Sequence, residues 1–204
     1  MSGCRIPAQK IEQTVEFHGH WCPGLAIGIR ASEYVLNNLG RATDEDIVAV
    51  VETDMCGVDA IQVLTGCTFG KGNLLYSDQG KMAFSFYHRG DGKGVRLVFK
   101  SERFWEEAEG FFELTRKWLS GQAAPEETEK VLRMREERAQ YIMAAPFEEL
   151  FAVKEPARPM PRPARILQSL TCEACGESVM ESRSRRLEGR TLCLACFEAQ
   201  DKWH

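Results

Sequence analysis

Apolar residues in the first part of the chain recur at helical intervals. Periodicity is strong between Ile6 and Leu39, and from Gly24 onward Leu25, Ile27, Ile29, Ala31, Val35, Leu36 and Leu39 follow one another, several at spacings that share a helix face. Pro23 and Gly24 stand just before this run, where proline's missing N–H does no harm, and Gly40 supplies a stop. The spacing predicts a helix over about 24–39, with His18 to Cys22 on a loop leading into its amino end. Such an end gathers free backbone N–H groups and positive potential, which favours anions and lowers a thiol's pKa.

The pattern then shortens. Ile47 to Glu52 is a β-branched run that reads as a buried strand, and it ends at Thr53-Asp54-Met55-Cys56-Gly57. Val58 to Leu64 reads as a short helix, followed by the glycine-rich stretch 66–73. Leu74 to Tyr76, Met82 to His88 and Val95 to Phe99 read as strands, with Arg89-Gly90-Asp91-Gly92 as a turn. Ser101 is placed to cap a helix with Phe104, Ala108, Phe111, Thr115 and Trp118 or Leu119 down one face. A charged helix follows Pro125, over about 126–144. Beyond Val153, Pro156, Pro159, Pro161 and Pro163 fall within eight residues, with Arg158, Arg162 and Arg165 interleaved. Proline at that density excludes helix and sheet and predicts an extended connector. The expected organisation is a core over 1–155, a proline-rich linker over 156–168 and a small domain over 169–204.

Composition narrows the class. The 204 residues suit one ordinary domain plus something small, and 44% hydrophobic with 27% charged residues is a globular balance. A formal charge of −4 argues against a nucleic-acid binder that works by whole-surface attraction. No stretch approaches the ~20 apolar residues needed to cross a bilayer, and Met1 to Pro7 lacks the apolar core of a signal peptide. The expectation is a cytoplasmic protein, away from membranes, whose thiols stay reduced. Its eight cysteines then read as metal ligands or reactive thiols rather than disulfides.

Four of them form the clearest motif. Cys172-x-x-Cys175 and Cys193-x-x-Cys196 enclose 17 residues, a spacing suited to one tetrahedral zinc ion. Gly176 permits a tight knuckle after the first pair, and Glu188-Gly189 reads as a hairpin turn. A helix opening at Cys193 would carry both last ligands. Knuckle, hairpin and helix make a treble-clef finger. A segment this small cannot bury enough apolar surface to fold unaided, so a structural zinc ion is expected there, closed to substrate by four thiolates. Arg183, Arg185, Arg186 and Arg190 crowd the finger and read as a solvated or protein-facing surface rather than a nucleic-acid contact.

A second cluster lies near the amino terminus. His18-Gly19-His20-Trp21-Cys22 places three soft or borderline ligands within five residues, and Cys56 and Cys67 follow a strand and a helix. This points to a transition-metal or thiolate site. Trp21-Cys22-Pro23-Gly24 echoes a thioredoxin loop, but Leu25 stands where the resolving cysteine would be. The stretch 66–72 echoes a Walker A loop but is one residue short and lacks the hydroxyl residue after Lys71, which leaves the lysine free to face an anion.

Three ordered blocks carry a family resemblance. These are Phe17-His18-Gly19-His20-Trp21-Cys22-Pro23-Gly24, the stretch from Glu52 through Cys56, Gly57 and Asp59 to Gln62, and the stretch from Thr65 through Cys67 and Lys71 to Leu74. They resemble the FmdE family, which takes its name from formylmethanofuran dehydrogenase and some members of which also carry a four-cysteine finger. The resemblance implies an α+β fold, a mixed β-sheet core flanked by helices, assembled as a homodimer. It implies an active site of His18, His20, Cys22 and Cys56, with Asp59, Cys67 and Lys71 nearby as cofactor-binding residues. It further implies association with subunits of a tungsten or molybdenum oxidoreductase of anaerobic one-carbon metabolism and methanogenesis, whose catalytic subunits are other proteins. The leading expectation is a metal-binding accessory protein with a second transition metal in the core. The alternatives are a thiol enzyme using Cys22, and a binding module whose finger docks protein or nucleic acid.

Overall fold

A computed structural model of the chain describes residues 3–101 and 110–201. It divides into two compact units, Met1–Pro163 and Ala164–His204.

The first unit is built on a five-stranded mixed sheet. In chain order its strands are β1 (Ile47–Val51), β2 (Leu74–Tyr76), β3 (Ala83–His88), β4 (Gly94–Phe99) and β5 (Phe151–Lys154), arranged β2-β1-β3-β4-β5. β1 and β2 run parallel, joined through the helix between them, and the remaining pairs are antiparallel. Alternation along the strands sorts the two faces. Register aligns Ala49 with Phe86 and Phe86 with Val95, then Val51 with Phe84 and Phe84 with Leu97. These rows belong to one buried cluster with Ala26, Ile27, Ala31 and Val35. On the other face Glu52 meets Arg96 through two hydrogen bonds of 2.6 and 2.7 Å.

Helices α1 (Ala8–His18), α2 (Pro23–Asn38) and α3 (Gly57–Thr65) precede and follow β1, and α4 (Phe111–Leu119), α5 (Pro125–Ala144) and the single turn α6 (Phe147–Leu150) come before β5. Most of α2 is buried, because its apolar residues wrap more than one face: one side meets the sheet, and Leu25 and Ile29 join a second cluster with Ala60 and Leu64 of α3. Ile11 and Val15 place α1 against that cluster. The α2–α3 crossing is glycine on glycine. A Cβ at Gly28 would stand 2.5 Å from the Gly57 Cα, so only this pair lets the two backbones approach so closely. Arg30 of α2, 1% exposed, reaches the end of α5. Its Nη1 donates to the carbonyls of Ile142, Met143 and Ala145 at 2.6, 3.1 and 2.8 Å, and its Nε donates to Glu33. A cation thus meets the negative end of a helix that has no basic residue in its own last turn.

Several expectations change here. The segment before His18 is helical, so His18 closes α1 instead of lying on a loop; the turn then follows at Gly19, whose φ is +90°. α1 is polar apart from a narrow apolar stripe and is far less apolar overall than α2. β5 is an element that the sequence pattern does not predict. Phe104 and Ala108 of the expected helix after Ser101 lie outside the described residues, while α4 covers its second half. The start of the proline-rich stretch is tied to the sheet: Tyr87 donates to the Arg158 carbonyl at 2.9 Å, and Arg89 donates to that of Pro161 at 2.8 Å. No helix among the described residues is long and apolar enough to cross a membrane.

The second unit holds two hairpins, β6 (Ser169–Thr171) with β7 (Ser178–Met180) and β8 (Ser184–Leu187) with β9 (Arg190–Cys193), then helix α7 (Leu194–Asp201). Glu188 and Gly189, with φ of 49° and 81°, form the two-residue turn of the second hairpin, left-handed at both positions as such turns require. The helix expected to open at Cys193 opens at Leu194 instead. Cys193 ends β9, paired with Ser184, so α7 carries Cys196 alone of the four cysteines.

Candidate metal centres

Two groups of side chains converge on points where an ion would fit. In the second unit the sulfurs of Cys172, Cys175, Cys193 and Cys196 all lie within 4.8 Å of one another. Sulfurs about 2.3 Å from a shared tetrahedral ion would stand nearly 4 Å apart, so the set is close to assembled. The knuckle is held by hydrogen bonds from Cys172 N–H to the Glu177 carbonyl and from Gly176 N–H to the Cys172 carbonyl, both 2.9 Å. Backbone N–H groups of Cys175, Cys193 and Ala174 pull the Cys172 thiol down to about 6, the direction that favours a metal-binding thiolate. The arginines nearby are engaged locally: Arg186 donates to Thr191 and Arg190 to Gln200.

The second group sits in the first unit, where the end of α1, the start of α2 and the start of α3 meet. One donor atom each from His18, His20, Cys22 and Cys56 again lies within 4.8 Å of the others. His18 comes from the last residue of α1, Cys22 is the N-cap of α2 and Cys56 the N-cap of α3. Gly24 permits the approach, since a Cβ there would stand 3.1 Å from Cys56 Cβ. His18 is aimed by Asp59: its Nδ1 lies 2.7 Å from Asp59 Oδ2, and its Nε2 faces Cys22 Sγ at 3.9 Å. A carboxylate on one ring nitrogen leaves the other with its lone pair toward the centre, the usual arrangement behind a metal-bound imidazole.

The electrostatics divide the two thiols. The Cys22 thiol falls to about 6, first because the Cys56 thiol hydrogen-bonds to it, then through the N–H groups of Leu25 and Gly24 and the charge of Arg135, all against burial. Cys56, the donor of that pair, is pushed up. Burial pulls His18 down, but the Asp59 carboxylate and Cys56 outweigh it and the net direction is upward. His20 is exposed, and its contact is with the His18 ring, the centroids 4.5 Å apart. A cleft of about 330 Å³ opens beside the cluster, lined by His18, Cys56, Asp59, Met55, Leu74 and Tyr76 among others.

Three residues named from the sequence stand outside the four. Asp59 acts on His18. Cys67 is fully buried with its thiol on the Ile47 carbonyl at 3.4 Å, and Lys71 donates to the Asp44 carbonyl at 3.0 Å. Sequence reasoning missed Gly24, Gly28 and Gly57, whose lack of a side chain brings Cys56 to Cys22; a glycine four residues from another on a helix was the available signal.

Residues 17–152 match the family described as FmdE, molybdenum formylmethanofuran dehydrogenase operon, and residues 165–202 match the prokaryotic dksA/traR C4-type zinc finger. A probable S-adenosyl-L-methionine-binding protein of Archaeoglobus fulgidus is 38% identical over 192 residues, which cover 89% of this chain and 50% of that protein. The chain therefore spans about half the length of this curated relative. A tungsten formylmethanofuran dehydrogenase FmdE-like protein from Syntrophus aciditrophicus shares the fold, with a TM-score of 0.64 at 24% identity and 98% of each chain covered. The chain belongs to the FmdE family and ends in a C4 zinc finger.

Proposed function

We propose that this member of the FmdE family is a metal-binding accessory protein of anaerobic one-carbon redox metabolism. In this reading His18, His20, Cys22 and Cys56 hold one transition-metal ion, and the four cysteines of the finger hold a structural zinc. The observation that carries it is the convergence of two imidazoles and two thiols from three helix ends within 4.8 Å. That donor set suits zinc, copper, nickel or iron. A metal bound there would supply Lewis acidity or an electron-transfer centre. The chain's own residues do the rest. Asp59 fixes the His18 tautomer, the amino end of α2 stabilises the Cys22 thiolate, and exposed His20 is the ligand best placed to leave and open a position. The operon named in the family's description supports association with subunits of a tungsten or molybdenum redox complex, and a homodimer is the assembly we propose.

Element-specific metal analysis of the full chain purified without oxygen tests this reading. Two equivalents are expected, falling to one in the Cys22→Ser and Cys56→Ser variants. A single equivalent in the wild type, unchanged by either substitution, would refute it.

One observation favours a second reading, thiol chemistry at Cys22, whose thiol is held at about 6. Against it, Cys22 is only 2% exposed. Rapid carbamidomethylation of Cys22 by iodoacetamide at neutral pH in the metal-free chain would support the thiol reading; protection until the protein unfolds would sink it.

A further inference from the structure

We propose that a second hollow, between the end of α1, the turn after α2 and the glycine-rich loop after α3, binds a small anion: a phosphate or carboxylate carried on a flat apolar body. The hollow has a volume of about 470 Å³, and Phe17, Arg41, Thr43, Gln62, Thr68 and Lys71 supply its aromatic, cationic and polar walls. Among the described residues, no aspartate or glutamate lines it.

The two cations carry the argument. Arg41 lies over Gly66, where a Cβ would stand 3.3 Å from its Nη1, and its hydrogen bond is a long one of 3.5 Å to the Val63 carbonyl. Lys71 donates to the carbonyl of Asp44. Both therefore meet neutral oxygens, and a guanidinium with five N–H donors and an ammonium with three keep most of their capacity open. On the neighbouring loop, the Asp46 carboxylate is turned to main-chain donors. Asp46 accepts from the backbone N–H groups of Thr43 and Asp44 at 2.9 and 3.3 Å, and Asp44 offers its main-chain carbonyl.

The loop itself is braced from below, and most of its amides are engaged within it. Fully buried Asn73 donates to the carbonyls of Asp44 and Ile47 and accepts from Thr68 N–H. The N–H groups of Phe69, Lys71 and Gly72 go to Gln62 Oε1, Thr68 Oγ1 and the Phe69 carbonyl. This is why the resemblance of 66–72 to a phosphate-cradling loop fails physically: recognition here falls to side chains, not to a nest of main-chain N–H groups. Phe17, 60% exposed, adds an apolar aromatic wall on which a flat group can lie. The hollow adjoins the metal cluster in sequence and on the helix: Phe17 precedes His18, and Gln62 and Val63 follow Asp59 at the three- and four-residue spacing of one α3 face.

Titration calorimetry with adenosine 5′-monophosphate on the full chain tests the proposal, with benzoate as the carboxylate arm. Binding of either is expected, weakened about tenfold or more in Arg41→Gln/Lys71→Gln, as loss of charge-assisted hydrogen bonds requires. Arg41→Lys, which keeps the charge, is expected to retain most of it. Phe17→Ala should weaken binding severalfold. Failure of both probes to bind near 1 mM, on the order of the weakest useful affinity, would overturn the proposal. So would equal affinity in the double glutamine variant, or inorganic phosphate binding as tightly as the nucleotide. Metal content read on the same samples separates this outcome from the fate of the metal reading, which stands without it.

Discussion

Replacing Arg30 by methionine removes the cation that ties α2 to the end of α5. The side chain is 1% exposed, and methionine fills similar apolar volume, so the substitution isolates the polar loss. Three carbonyls, of Ile142, Met143 and Ala145, lose their charged donor together. Met143 keeps the Cys4 N–H at 2.7 Å, which softens one of the three losses. Glu33, 8% exposed, loses its partner but keeps the Arg5 N–H. A hydrogen bond to a charged group contributes about 1.5–3 kcal/mol, and stranding one member of a buried ion pair costs about 3–5 kcal/mol. These overlap, since they describe the same desolvated groups, and a total of about 4 kcal/mol follows. With a urea slope of about 2 kcal/mol per molar, the midpoint should fall by about 2 M, read by tryptophan fluorescence. Glu33→Gln with Arg30→Met should recover at least about 1 kcal/mol of that loss, because no stranded charge remains. A single Arg30→Met variant that unfolds within about 0.3 M of the wild type would refute the reasoning.

The α2–α3 crossing predicts that Gly28→Ala forces the helices apart and destabilises by about 1–3 kcal/mol, and on the proposed metal reading it also lowers metal bound at the core cluster while finger metal stays; thermal melting and metal content check both. Glu52 is held below its ordinary value of 4.5, first by its hydrogen bonds with Arg96. A depressed carboxylate adds stability that is complete above its unfolded pKa and fades as pH falls through the folded one. Glu52→Gln should therefore be less stable than wild type at neutral pH, with the gap closing below pH 4.5 in chemical denaturation. Chelation of the finger's zinc, or Cys196→Ser, should abolish hydrogen-exchange protection across 169–201 and leave β1, β3 and β4 protected.

The strands and long helices were legible because their burial leaves a pattern in the sequence: β1 as a β-branched run, β3 as a nearly continuous apolar and aromatic run, β4 as alternation, α2 as a wide apolar stripe. The end of α1 was not, because only a few residues such as Ile11 and Val15 face the core. β5 was obscured by its position at the sheet edge, where Val153 and Lys154 are exposed and the apolar run is cut short. The candidate metal ligands were visible since His18, His20 and Cys22 are neighbours in the chain. The pairing of His18 with Asp59, 41 residues away, has no local signature, and a contact made by two absent side chains has even less. In the finger, the two-residue spacing set the ligands but not the strand that runs up to Cys193.

The contact between Gly28 and Gly57 has a consequence for anyone who would move this centre elsewhere. Neither residue donates to an ion, yet together they set how far Cys56 stands from Cys22. Grafting the two histidines and two cysteines onto another helical scaffold would copy the donors and lose the spacing. The transferable unit is a pair of backbones in contact, and a designer should start from that crossing and add the ligands last.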